Sequence, residues 1–190
     1  MLVINDLAQP GFSLARPLSF VPTMGALHSG HAALISHALK YSESVLVSDF
    51  VNPLQFNDQA DLAKYPHTPE KDIEIAADAG ATGIWFPRAE EIYPLTAAAT
   101  EQIDSGAFGE LYEGASRKGH FSGVLTVVNR LFSLVNPTWA FFGEKDFQQL
   151  FLIRSMVANR TPFTQPATSA RLCVVDSLAS SKEPSSITTA

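Results

Sequence analysis

The chain holds a single cysteine among 190 residues, few basic groups and no long apolar run. One cysteine, Cys173, rules out an internal disulfide framework and fits a reducing compartment. Thirteen Lys and Arg against 19 Asp and Glu leave a formal net charge of −6. A folded domain that acidic is a poor general binder of nucleic acid, whose phosphates reward a basic surface. No stretch reaches the roughly 18 apolar residues that a membrane span needs, so no membrane partner is expected. The start, Met1-Leu2-Val3-Ile4-Asn5-Asp6, lacks a basic flank and a long apolar segment, so no signal peptide is expected. The expectation left by these absences is a soluble, cytoplasmic protein. Hydrophobic residues at 46% and charged residues at 17% describe a globular chain, long enough for one domain with a substantial core.

What is present is concentrated in Pro22-Thr23-Met24-Gly25-Ala26-Leu27-His28-Ser29-Gly30-His31. An apolar run precedes it and an amphipathic segment follows, which reads as a strand, a small-residue turn and a helix start. The leading N–H groups of a helix lack intrahelical partners, and its dipole adds positive potential there. Gly25 and Gly30 let the backbone approach a ligand. Residues three apart share a face of the first turn, so His28 and His31 are expected side by side. Two imidazoles beside oriented N–H groups can stabilise an anion whose charge grows during a reaction. Either histidine can also serve as a plain surface or capping residue. Zinc ligation is the other alternative, but zinc takes three or four protein ligands. No His-Glu-x-x-His accompanies the pair, so no metal site is expected.

Along the chain, residues 18–21 read as a buried strand and 31–41 as a helix with Leu34, Ile35, Ala38 and Leu39 at helical spacing. Residues 44–50 read as a second strand, ended by Asn52-Pro53. Pro69 opens a helix to about residue 79, closed by Gly80. Residues 83–86 form a third strand, and 87–119 are irregular. Phe121, Val124, Leu125, Val128, Leu131, Phe132 and Val135 describe a strongly amphipathic helix, ended at Asn136-Pro137. Residues 139–142 are a strand. A helix over 145–157 is expected to bury Phe147, Leu150, Phe151 and Ile153 or the stem of Arg154. Strands alternating with helices predict an α/β fold with a doubly wound parallel sheet. Such sheets bind ligands beyond the carboxyl ends of their strands. The loops there are 22–31, 49–56 and 143–146. Arg117, Lys118 and His120 form a small basic cluster that either screens an anionic substrate or is a solvated loop.

His-x-Gly-His is the signature of the nucleotidyltransferases that activate substrates with ATP. Together with the blocks VPTMGALHSGH, FVNPLQF, YPHT, RKGHFSGVLTVVNRLFSLV and FFGEKDFQQLFLIRSMV, in order, it makes the chain closely resemble the pantothenate synthetases, or pantoate–β-alanine ligases. The resemblance implies a Rossmann-like fold. It also implies a two-step ligation in which pantoate attacks the α-phosphorus of MgATP, and β-alanine then displaces AMP. It assigns ATP binding to Thr23, Met24, Gly25, Ala26, Leu27, His28, Ser29, Gly30, His31, Gly143, Glu144, Lys145 and Asp146. His28, His31 and Lys145 would be catalytic, His31 as a proton donor. Gln55 and Gln149 match the amides that hold pantoate. ATP and Mg2+ are the cofactors implied. Family members are commonly dimers, so a homodimer joins the expectation.

The pattern departs from the family at three points. Asp49 stands where an apolar residue is usual, His67 where Arg is usual, and Lys118 where Pro is usual. Beyond Val157 the likeness fades into a stretch rich in Ser and Thr, with Pro162, Pro166 and Pro184. Asp176-Ser177-Leu178-Ala179-Ser180-Ser181-Lys182 only faintly matches the family's block that closes over the triphosphate. The expectation is therefore an ATP- and pantoate-binding domain over 1–160 and a weakly ordered tail over 161–190. A missing second domain, from truncation or a frameshift, is part of it. The alternative reading is a catalytically impaired relative that binds nucleotide or a partner subunit.

Overall fold

Leu18, Phe20, Val21, Val45, Leu46 and Val47 are all buried, so these two segments are covered on both faces. That is the pattern of central strands in a parallel sheet with helices on either side. The computed structural model describes residues 1–8, 13–94, 102–159 and 171–175. Its strands are β1 (Leu2–Ile4), β2 (Leu18–Thr23), β3 (Ser44–Asp49), β4 (Gly83–Trp85), β5 (Trp139–Gly143) and β6 (Arg171–Val175). They form one sheet in the order β1-β4-β3-β2-β5-β6, every pair parallel. The helices are α1 (Ser29–Ala38), α2 (Gln59–Lys64), α3 (Pro69–Asp78), α4 (Ala89–Ile92), α5 (Glu113–Ser116), α6 (His120–Val135) and α7 (Phe147–Asn159).

Side chains alternate across a strand, so each strand feeds two cores. Phe20, Leu46, Trp85, Ala140 and Phe142 face α4, α6 and α7. Val21, Val45, Val47, Ile84 and Phe141 face α1 and α3. Within the first core, Phe132 of α6 stands edge-on to Phe20 at 6.5 Å and to Phe142 at 6.3 Å. Each such buried side chain contributes roughly 1.5–3 kcal/mol relative to its exposed state. Among the described residues no helix is long and apolar enough to cross a membrane.

The strand order places the site. From β2 the chain steps outward through β3 to β4, then returns to lay β5 on the other side of β2. The carboxyl ends of β2 and β5 therefore flank the point where the winding reverses, the usual ligand crevice of such sheets.

Most predicted elements are present. The seven apolar positions of α6 are all buried. That helix ends where expected, with Asn136 left-handed at φ 48° and its N–H donating to Phe132 O at 2.8 Å. Four features differ. The last long helix begins at Phe147 instead of residue 145. Phe147 and Phe151 are exposed, at 70% and 45%. The buried face of α7 runs through Gln148, Leu152, Ile153 and Met156, and at 100° per residue Phe147, Phe151 and Arg154 point the other way. The stretch 87–119 contains α4, α5 and a 3-10 turn at Ala107–Glu110. Finally, β1 and β6 extend the sheet where the sequence reading had no strand. β6 pairs with the whole of β5, from Trp139↔Arg171 to Gly143↔Val175, inside the stretch expected to be a tail. Its run Arg-Leu-Cys-Val-Val is short and rich in β-branched residues, a strand signature masked by its Ser- and Thr-rich surroundings. The Asp176–Lys182 block lies outside the described residues.

Candidate active site

The turn after β2 is built around a positive φ at two consecutive residues, Gly25 at 80° and Ala26 at 51°. A non-glycine residue pays a steric cost in that region, so something must hold Ala26 there. Asp72 of α3 does so. Its fully buried carboxylate accepts from Ala26 N at 2.9 Å, from Leu27 N at 2.6 Å and from Thr68 Oγ1 at 3.2 and 3.3 Å. Thr23 anchors the start of the turn. Its Oγ1 donates to Ser48 O at 2.7 Å and accepts from Gly25 N at 3.1 Å. A Cβ on Gly25 would collide with the carboxyl of Asp49, the last residue of β3.

The two histidines cap the helix that carries them. His28 is the N-cap of α1, and its Nδ1 accepts from Gly30 N at 3.0 Å. His31 reaches back, with its Nδ1 accepting from His28 N at 3.4 Å. The rings stack at 4.2 Å between centroids. In a neutral imidazole, a nitrogen that accepts leaves the proton on the other. Each ring, accepting through Nδ1, therefore keeps its N–H at Nε2. The imidazole of His28 folds over Gly30, where a Cβ would sit 2.8 Å from its Cε1. A larger residue in place of Gly30 would therefore push the His28 ring from its capping position. Burial, with the nearby His28, pushes the pKa of His31 down to about 4, and Lys145 adds to the effect while Asp72 opposes it. His31 is thus a neutral hydrogen-bond donor at pH 7.

The remaining predicted residues divide. Lys145, exposed in the turn after β5, is near enough for its charge to act on His31. Gly143, Glu144 and Asp146 share that turn, and the Asp146 carbonyl takes the first helical bond of α7 from Leu150 N. Gln55 lies in a 3-10 turn, Pro53–Gln55, after β3. Its Oε1 accepts from Asn52 Nδ2 at 3.1 Å, and its Nε2 is aimed at Met24 Sδ in the first turn. Its backbone carbonyl faces Nδ1 of His120 at 2.8 Å. Met24 and Gln55 are thus brought together from 31 residues apart in sequence. Gln149 is half-buried in the first turn of α7. The basic cluster separates: Arg117 pairs with Glu113 at 2.6 Å on the surface, Lys118 is exposed, and His120 is buried.

Sequence reasoning missed Asp72, read Asn52 only as the residue that ends a strand, and placed His120 in a basic cluster instead of a buried contact with Gln55. Asn52 ties three elements together, donating to Gly123 O at 3.1 Å while its Oδ1 accepts from Tyr93 Oη at 2.7 Å. In the sequence, Asp72 is one of two acidic residues, with Glu70, in a helical first turn, where carboxylates commonly complement the dipole. Among the described residues no three His, Cys, Asp or Glu side chains gather where a metal ion could be held.

Comparison with known proteins agrees with this geometry. The family model for pantoate-beta-alanine ligase matches residues 6–181. A pantothenate synthetase of Phocaeicola vulgatus is 51% identical over 145 residues, covering 76% of this chain and 51% of that protein. One from Xanthomonas euvesicatoria is 47% identical over 157 residues, covering 83% of this chain and 55% of that protein. The chain spans about half the length of the curated relatives it matches. Among solved structures, pantothenate synthetase from Thermus thermophilus superposes with a TM-score of 0.82 at 41% identity, over 93% of this chain and 62% of that one. A pantoate-beta-alanine ligase from Francisella tularensis, complexed with beta-gamma ATP and beta-alanine, gives 0.77 at 35% identity, over 92% and 67%. A family model spanning nearly the whole chain, relatives about half identical to it and a shared fold lead to one conclusion: this chain belongs to the pantoate-beta-alanine ligase family.

Proposed function

We propose that the chain binds MgATP and pantoate, and carries the adenylating half of a ligase that makes pantothenate from pantoate and β-alanine. The observation that carries this reading is the stacked His28–His31 pair, with both Nε2–H groups free of helix capping, at the sheet's switch point beside Lys145. The setting fits phosphoryl transfer, which depends mostly on positioning and charge neutralisation. A pantoate carboxylate oxygen attacks the α-phosphorus, and the bond to the bridging oxygen breaks as pyrophosphate leaves. Negative charge grows on the α-phosphoryl and bridging oxygens. The two Nε2–H donors and the Lys145 ammonium would meet that charge. A neutral His31 serves here as a hydrogen-bond donor instead of a proton donor. Mg2+ arrives on the triphosphate as part of the substrate. In the second step, the β-alanine amine attacks the acyl carbon and AMP departs.

Backbone groups from Thr23 to Leu27, with Ser29 and Gly30, would line the nucleotide. Gly143, Glu144 and Asp146 would complete its far side. Gln55, its amide orientation fixed by Asn52, would present Nε2 to pantoate, and Gln149 would supply the second amide. Residues 1–160 together with β6 form the binding domain in this proposal. It keeps the expectations of a cytoplasmic setting and a homodimer, the latter read by sedimentation equilibrium. Phosphorus NMR of the chain with MgATP, pantoate and β-alanine tests the function. Pyrophosphate and AMP appearing only when pantoate is present support it. Unchanged ATP in every mixture, or hydrolysis indifferent to pantoate, would reject it.

A further inference from the structure

Beneath the nucleotide turn, two carboxyl groups meet with no donor between them. Asp49 is 6% exposed, and its Oδ2 is buried with no hydrogen-bond partner among the described residues. Its carboxyl lies close enough to the Asp72 carboxyl for the two groups to interact, and both flank the same turn, Asp49 at Gly25 and Asp72 at Ala26 and Leu27. Asp72 already accepts from Ala26 N, Leu27 N and Thr68 Oγ1, so it has no hydrogen of its own to offer. Two carboxylate oxygens can form a hydrogen bond only if a proton lies between them. Two bare carboxylates at that distance, out of water, would repel strongly. Asp49 also presses on the underside of Gly25, where even a methyl group could not be inserted. A shift of the Asp49 carboxyl toward Gly25 would therefore press on the turn.

We infer that Asp49 is a positioning residue: it shares one proton with Asp72, and that proton lets the paired carboxyls hold Gly25, Ala26 and Leu27 in the conformation that receives the nucleotide phosphates. The phosphate clause rests on the function proposed above; the shared proton does not. Losing the proton places a second negative charge under an anion-binding turn and sets two carboxylates against each other. The turn loosens and the anion is held less tightly.

The groups facing Asp49 agree on the sign. Burial and Asp72 raise its pKa to about 6, and exposed His67, in the segment before α3, pulls the other way. Tyr65, at the end of α2, faces the same pair, and burial together with Asp49 and Asp72 raises its own pKa. His31 of α1 faces Asp72 from the ligand side. Asp49 therefore gives up its proton near 6 and not in the ordinary carboxylate range.

Two readings test this on the intact chain. In the ligand-free protein, carbon NMR of the Asp49 carboxyl and nitrogen NMR of the Ala26 and Leu27 amides are followed from pH 4.5 to 8. All three signals should titrate together near pH 6, and the amide shifts should vanish in Asp49→Asn, which keeps a hydrogen to donate at every pH. A carboxyl that titrates in the ordinary range near 4, or amides that shift equally in D49N, would overturn the shared proton. Calorimetry with MgATP is the second reading. Affinity should fall about three- to tenfold from pH 5.5 to 7.5 beyond the change seen in D49N. Equal pH dependence in the two proteins would overturn the coupling to the ligand. If neither protein binds MgATP while the amides titrate as predicted, the nucleotide reading fails and the shared proton stands.

Discussion

In the proposed reaction, His31 is the residue on which most of the chemistry converges. It caps its own helix through Nδ1 and keeps its N–H at Nε2. Replacing it by Ala should cost about 10²–10³-fold in pantoate-dependent pyrophosphate release, the usual scale for one preorganised donor to developing charge. An unchanged rate would remove His31 from the reaction. Asp72 acts one layer below. Asp72→Ala leaves the buried N–H of Leu27 and the N–H of strained Ala26 without an acceptor, at roughly 1–3 kcal/mol for each unsatisfied group. Urea denaturation should register a loss of about 2–4 kcal/mol, with nucleotide affinity falling alongside. The contrast between these residues explains what the sequence disclosed. His28 and His31 are legible because their chemistry and spacing are local. Asp72 is not, because its hydrogen bonds reach 45 and 46 residues back along the chain. Asp49 and His67 were visible only as odd residues in familiar blocks, and the fold brings them to one place.

At the scale of elements, α6 and the 3-10 turn at Pro53–Gln55 work as a pair. Gly123 lies so close to the Leu54 carbonyl that a Cβ would overlap it. Gly123→Ala should push the turn away from the helix, costing about 1–3 kcal/mol by overpacking. Because Gln55 rides on that turn, the variant should need more pantoate while its MgATP affinity stays within twofold. Initial-rate measurements against both substrates separate the two effects. α6 could be read from sequence because its apolar stripe keeps one period for 16 residues. α7 misled because aromatic residues weighted the wrong side. Phe147 and Phe151 look like core, yet Gln148 takes the inner position and spans to Phe108 O and Leu111 O at 2.8 Å. A buried amide satisfied by loop carbonyls leaves no trace in hydrophobic periodicity.

For the whole molecule, the alternation of strands and helices was enough to predict a parallel sheet. The edge strands escaped because β1 is three residues long with two of them exposed, and β6 is isolated in polar sequence. Two buried groups near the crevice give the fold opposing pH responses. Histidine ordinarily titrates at 6.5, and His31 is lowered to about 4, so the unfolded chain alone takes up a proton between those values. Stability from this source is lost as pH falls through 6.5 to 4. Asp49 is raised from 3.8 to about 6, so the folded chain holds a proton that the unfolded chain gives up. Stability from that source is lost as pH rises through the same window. Asp49→Asn removes the second slope only. Its melting temperature should therefore climb more steeply between pH 4 and 6.5 than that of the unchanged protein, and parallel curves would contradict both assignments.

The most direct test of the account is isotope exchange between ATP and labelled pyrophosphate, which isolates the adenylating step from amide formation. The account predicts exchange that requires pantoate, is independent of β-alanine, and disappears in the His28→Ala, His31→Ala double variant while the fold is retained. Exchange without pantoate, or exchange that survives loss of both histidines, would contradict it.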